Sequence, residues 1–162
     1  MRKGLKLLLL IAWLSLIFYL SNQPAAVSSE VSDFWSDRIA KILSILFFWT
    51  DTTGLTVFLT EHVEYIRKSA HVFEFLVLGV LSSMNSVEYF RKRTYLLSLA
   101  FCIFYALSDE VHQLFIQGRA GKAGDVLIDS IGAFIGIFLY HRIMKNEKET
   151  ECSIDFTDRL SE

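Results

Sequence analysis

Residues 95–113 read YLLSLAFCIFYALSDEVHQ, and the division of this stretch decides the fold. From Tyr95 to Leu107 it is apolar apart from Ser98. From Ser108 it turns polar, with Asp109, Glu110, His112 and Gln113 gathered in the last turns. A membrane span needs ~20 mainly apolar residues at 1.5 Å rise each. This stretch reaches that length only if its polar end is counted in. Taken alone it also fits a buried helix of a soluble protein. The other apolar runs remove that option, because polar residues interrupt them systematically too.

The run Ala70–Met84 carries Arg67, Lys68, His71 and Glu74 at its start, and Val126–Ile143 carries Asp125 and Asp129 at its start. Leu5–Leu20, LKLLLLIAWLSLIFYL, has only Lys6 as a charge, and that side chain can snorkel to the nearby interface. The expected spans are 5–21, 66–84, 94–113 and 125–143, forming an all-α integral membrane bundle of four transmembrane helices. Arg2 and Lys3 before the first run also fit a signal peptide, with QPAAVSS tolerant of cleavage. A retained helix is the expectation, because three further apolar runs follow.

Basic residues in short loops orient such a bundle. Arg2, Lys3 and Lys6, then Arg91, Lys92 and Arg93, then Arg142, Lys145 and Lys148 fall on one side when there are four spans. That side is expected to be cytoplasmic, with both termini on it. The domain layout is then a membrane domain over 1–143 and a polar cytoplasmic tail over 144–162, expected to be mobile from Asn146 onward.

The segment between the first two spans lies outside in this placement. Pro24 ends the first helix. Ser29 or Ser32 is placed to cap an amphipathic helix over about 31–49, with Val31, Trp35, Ile39, Ile42, Leu46 and Trp49 on one side and Glu30, Asp33, Asp37 and Lys41 on the other. It either docks on the membrane surface or packs over the bundle mouth. A second short helix is expected after Gly54. Cys102 falls mid-membrane and Cys152 in the tail, so both are expected as free thiols.

The whole chain has 162 residues, 52% of them hydrophobic, and a net charge of −2. These averages exclude a disordered chain, a collagen and a disulfide framework, and they carry no nucleic-acid signature. The net charge conceals a division. The outer parts hold 6 basic and 11 acidic residues, the cytoplasmic parts 10 and 7. The outer mouth is therefore acidic with a few placed cations.

At that mouth, His71 and Glu74 are i and i+3, Asp109 reaches His112 and Gln113 at i+3 and i+4, and Asp125 and Asp129 are i and i+4. Ionised groups buried in a membrane pair with one another or line a wet cavity. The plain reading is ion pairing between helices, such as Lys68 with Asp125 or Arg119 with Glu74. The functional reading is one outward-facing cavity. There, His71, Glu74, Asp109, Glu110 and His112 are the candidates for acid–base chemistry. Lys68, Gln113, Arg119, Asp125 and Asp129 are the candidates for ligand binding. The ligand types include some acceptable to zinc, but no metal spacing appears, so no metal is expected and no cofactor is named. Ser108 stands four residues before His112, a spacing too common on helices to argue for nucleophilic catalysis.

The link QLFIQGRAGKAGD places Gly118, Gly121 and Gly124 around Arg119 and Lys122. Such a loop serves an anion or simply turns the chain. It matches neither a Walker A loop nor a dinucleotide fingerprint. Gly132 and Gly136 form GxxxG, read as close helix packing.

KSAHVFEFLVLGVL over 68–81 and SDEVHQLFIQGRAGKAGDVLIDSIGAFIG over 108–136 resemble the VanZ-like family of small bacterial membrane proteins. The resemblance covers about residues 10–143. It places the family's pattern on Lys68, His71, Asp109, Glu110, Gln113, Arg119, Asp125 and Gly132. Asp129 stands where many members have Asn, and the loop lacks the proline often found before the Gly–Arg pair. The resemblance implies a protein of the bacterial cytoplasmic membrane, in a family whose founding member is associated with low-level teicoplanin resistance. The leading expectation is an outer cavity engaging an anionic cell-envelope or lipid-linked ligand. The alternatives are an integral-membrane hydrolase or transferase using a carboxylate–His pair, and a scaffold held by an internal ion-pair cluster. The lipid bilayer is the expected partner, nucleic acid is not, and the oligomeric state is unassigned.

Overall fold

A computed structural model describes residues 3–46, 52–61, 63–89 and 93–160. The described residues form six helices and no strand: α1 Lys3–Ser21, α2 Ala25–Leu46, α3 Thr52–Glu61, α4 Val63–Tyr89, α5 Thr94–Gln113 and α6 Ala123–Leu160. Four segments are long and apolar enough to cross a membrane: Lys3–Ser21, Arg67–Val87, Thr94–Gln113 and Ala123–Asn146. They match the four expected spans to within three residues at each end, and the chain is a multi-pass membrane protein.

Lipid supplies no hydrophobic drive between helices, so close packing must come from small residues. It does so between α4 and α6, the most extensive helix pair in the bundle. A methyl at Gly132 would overlap the Val72 carbonyl, one at Gly136 the Leu76 carbonyl, and one at Gly79 the Ala133 carbonyl. The GxxxG face is thus a backbone-to-backbone contact. Ile17, Phe75, Leu78, Cys102, Ala106 and Ala133 form the core beside it. Two polar tips tie α1 to this core: Trp13 Nε1 donates to the Glu74 carbonyl at 2.9 Å, and the Tyr105 hydroxyl donates to the Leu14 carbonyl at 2.8 Å. Leu8, Leu96, Phe104 and Leu127 point outward with their apolar surface bare, as lipid-facing residues do.

Three elements differ from the sequence expectation. The short helix expected after Gly54 begins at Thr52 and takes in that glycine. α2 begins at Ala25, immediately after Pro24, and not near Val31. Its first amide is satisfied across the fold, by the Gln117 carbonyl at 3.2 Å. Ser29 is therefore inside the helix, where its hydroxyl donates to the Ala25 carbonyl, and is not a cap. The expected end of this helix at Trp49 lies outside the described residues. At the other terminus, α6 runs on to Leu160, well past 143, so the backbone of the tail is helical.

Candidate functional site

The start of α4, the end of α5 and the start of α6 meet at one end of the bundle, joined by the loop 114–122. Gly118 sits in the left-handed region at φ 75°, which lets that loop fold back over the helix ends. Arg119 then reaches the α1–α2 turn. Its Nε donates to the Gln23 carbonyl at 2.9 Å and its Nη2 to the Leu20 carbonyl at 3.4 Å. The Leu20 carbonyl, in the last turn of α1, also accepts the Gln23 N–H at 3.3 Å, and Gln23 lies in the turn that follows. The Arg119–Glu74 ion pair considered from the sequence is replaced by this clamp.

α5 contributes a buried acidic pair. Asp109 accepts from Gln113 Nε2 at 2.9 Å, and Glu110 accepts the Lys122 backbone N–H at 2.8 Å. Glu110 thus fastens the loop to the helix. His112 turns the other way. Its ring stacks on Phe18 at 4.9 Å and its Nε2 lies 3.2 Å from Asn22 Oδ1. Ser108 donates to the Tyr105 carbonyl. Asp129 is 1% exposed, and neither of its carboxylate oxygens has a hydrogen-bond partner in the structure.

At the rim, Lys68 Nζ lies 3.2 Å from Glu64 Oε1 and 3.9 Å from Asp125 Oδ1, and Lys122 Nζ lies 3.5 Å from the same Glu64 oxygen. The Lys68–Asp125 pairing is therefore present. Glu64 is flanked by Lys68 and Lys122, which hold its carboxyl below the usual range. Deeper in, His71 Nδ1 stands 3.7 Å from Glu74 Oε2, beyond hydrogen-bond reach, and has no hydrogen-bond partner.

Two cavities open at this end. A polar chamber of about 150 Å³ is lined by Arg67, His71, Gln113, Gly118, Arg119, Ala120, Lys122 and Asp125. An apolar crevice of about 460 Å³ runs between α2 and α4. Val27, Val31, Trp35 and Ile39 form one wall, Phe73 and Leu20 face them, and Arg67, His71, Glu74 and Arg119 stand at its polar end. Arg67, His71 and Arg119 line both spaces. Burial, with Arg67 alongside, lowers the Arg119 guanidinium from its ordinary range, though an arginine stays charged at neutral pH. Like charges beside a small polar space favour an anion between them.

Of the residues singled out in the sequence, Lys68, His71, Glu74, Asp109, Glu110, Gln113, Arg119 and Asp125 gather around these spaces or brace them. His112 and Asp129 line neither. Arg67 went unremarked as a ligand candidate, although it stands four residues before His71 and so on the same helix face. Among the described residues, no three His, Cys, Asp or Glu side chains stand close enough to hold a metal ion.

No curated protein and no solved structure matches the chain. The family model described as VanZ/LLP1 matches residues 6–145, which covers the four spans apart from the first three residues of the first and the last residue of the fourth, together with every polar helix end described above, and the chain belongs to the VanZ/LLP1 family.

Proposed function

We propose that this protein engages an anionic cell-envelope or lipid-linked ligand in a cavity on the outer face of the bacterial cytoplasmic membrane, with both termini in the cytoplasm. One observation carries the reading: two arginines from different elements, Arg67 and Arg119, line the same small polar chamber. Both arginines are half-buried beside Asp125, and a phosphate or carboxylate accepts guanidinium N–H donors in pairs. Lys122 and Lys68 add positive charge at the edge, while Gln113 and His71 shape the space. The basic residues of the loops at the other end support reading this end as the outer one. An outer anion site on the cell-wall side also fits a contribution to glycopeptide (teicoplanin) resistance, the trait linked to the founding member of the family.

Orientation is checked first. Cysteine introduced at Gly124, where nothing stands within 4 Å of an added Cβ, is expected to react with an impermeant maleimide on intact cells. Cysteine at the exposed Lys145 position is expected to react only after permeabilisation. The reverse pattern removes the outer placement. Retention of envelope lipids by native mass spectrometry then tests the site. Arg119→Glu protein that folds and retains every anionic lipid at the wild-type level overturns the reading.

A second reading, an integral-membrane hydrolase or transferase, draws on His71 and Glu74 lining the crevice together. It predicts altered lipid products in cells overexpressing the wild type and none in cells overexpressing Glu74→Gln. Unchanged lipid extracts in both remove it.

A further inference from the structure

We infer that the ligand is a whole membrane lipid, docked sideways, with its phosphate between Arg67 and Arg119 and a hydrocarbon chain in the crevice between α2 and α4. This rests on reading the polar chamber as an anion site and adds what the anion is attached to.

The two spaces have opposite chemistry and share an edge. The crevice is walled by Val27, Val31, Trp35 and Ile39, one residue per turn of α2. The adjoining chamber is walled by Arg67, Arg119 and Lys122, with the Gln113 amide, His71 and one carboxylate, Asp125. Arg67 and Arg119 stand where the two meet. A water-soluble anion has no use for the apolar annex, and an uncharged lipid has none for the paired guanidiniums. A molecule with a phosphate at one end and a hydrocarbon chain at the other uses both. The crevice, at about 460 Å³, lies within the ~300–1,000 Å³ usual for ligand sites.

Access is lateral. Among the described residues, α2 packs on α3 and α4 and not on α1, and Leu20 is the one α1 residue in the crevice lining. The wall residues Val27, Val31 and Trp35 remain exposed, so the crevice is not closed over. A chain leaving the bilayer for this groove exchanges lipid neighbours for protein ones and gains little hydrophobic energy. Selectivity therefore rests on the phosphate, and the groove sets which way the lipid lies.

Trp35 in the wall provides the readout. The full chain in detergent is titrated with phosphatidic acid brominated in mid-chain, since bromine quenches indole emission only at close range. Diacylglycerol with the same brominated chains, which has no phosphate, is the control. The expected result is quenching by phosphatidic acid near stoichiometric amounts, absent with diacylglycerol and lost in Trp35→Phe. Arg67→Gln is expected to weaken it about tenfold, the value of one charge-assisted hydrogen bond. Phosphatidic acid held in native mass spectra while Trp35 stays unquenched overturns the docked chain and leaves the anion site standing. Equal quenching by both lipids overturns the anion site and this inference with it. No retention of either lipid overturns both.

Discussion

Arg119 donates to the carbonyl of Gln23 across 96 positions of sequence, joining the loop before α6 to the turn after α1. A second donation to Leu20 makes the guanidinium a two-pronged cap that holds the last turn of α1 and the turn after it together. Lysine carries the charge but offers a point donor on a flexible stem, and does not span two carbonyls in the same way. Arg119→Lys is expected to lower stability by about 1.5–3 kcal/mol, the usual range for hydrogen bonds to charged groups. Faster amide exchange at Ala25, whose N–H bonds Gln117 beside the clamp, accompanies it. Wild-type thermal unfolding in detergent for Arg119→Lys contradicts the cap.

Gly136 against Leu76 and Gly124 in open space form a matched pair of glycines on one helix. Alanine at Gly136 drives a methyl into the Leu76 carbonyl and pushes α4 from α6, at a cost of about 1–3 kcal/mol for overpacking. Alanine at Gly124 meets nothing and gains helix propensity of about 0.5–1 kcal/mol. Opposite shifts in unfolding temperature are expected. Equal shifts mean that the close helix approach is not what holds α4 to α6.

The four spans were legible because the first apolar run is almost free of charge and the other three have their polar residues at the same end of the bundle, a pattern that survives without any knowledge of contacts. The site was legible in its membership and less so in its geometry. Glu110 and His112 are two residues apart, hence ~200° around the helix, so they face nearly opposite ways. Sequence spacing alone does not say which of them faces inward, and packing against Phe18 and Asn22 takes His112 outward. Arg119 looked like a ligand donor facing a carboxylate, because its carbonyl partners are remote in the chain. The early start of α2 was hidden for the same reason: AAVSS reads as a loop until Gln117 supplies an acceptor for the Ala25 amide.

Glu110 is expected to act on the site through the loop. Its carboxylate accepts the Lys122 backbone N–H, so Glu110→Ala leaves that donor without its acceptor. The loss is about 1–3 kcal/mol, with faster exchange at the Lys122 amide. Glu110→Gln retains an acceptor oxygen and is expected to restore protection and ligand retention together. Loss of retention in Glu110→Gln with the Lys122 amide still protected instead assigns the carboxylate charge a direct part in binding.

The rim network titrates in acid. Lys68 and Lys122 hold the Glu64 carboxyl below its ordinary value of 4.5. A carboxyl whose pKa falls on folding adds stability that is fully present above the unfolded value. That stability fades as pH drops toward the folded value. Glu64→Gln is therefore expected to unfold at a lower temperature than wild type at pH 7. The gap should narrow as pH falls from about 4.5 and close once Glu64 is protonated in both states. Glu64 is an exposed group, so the gap is small, and 1 M salt should shrink it at neutral pH. Thermal scans of the two proteins across this range, at low and high salt, carry the test. A gap independent of both pH and salt means that Glu64 acts through packing and that the Lys68–Glu64–Lys122 contacts contribute no charge interaction.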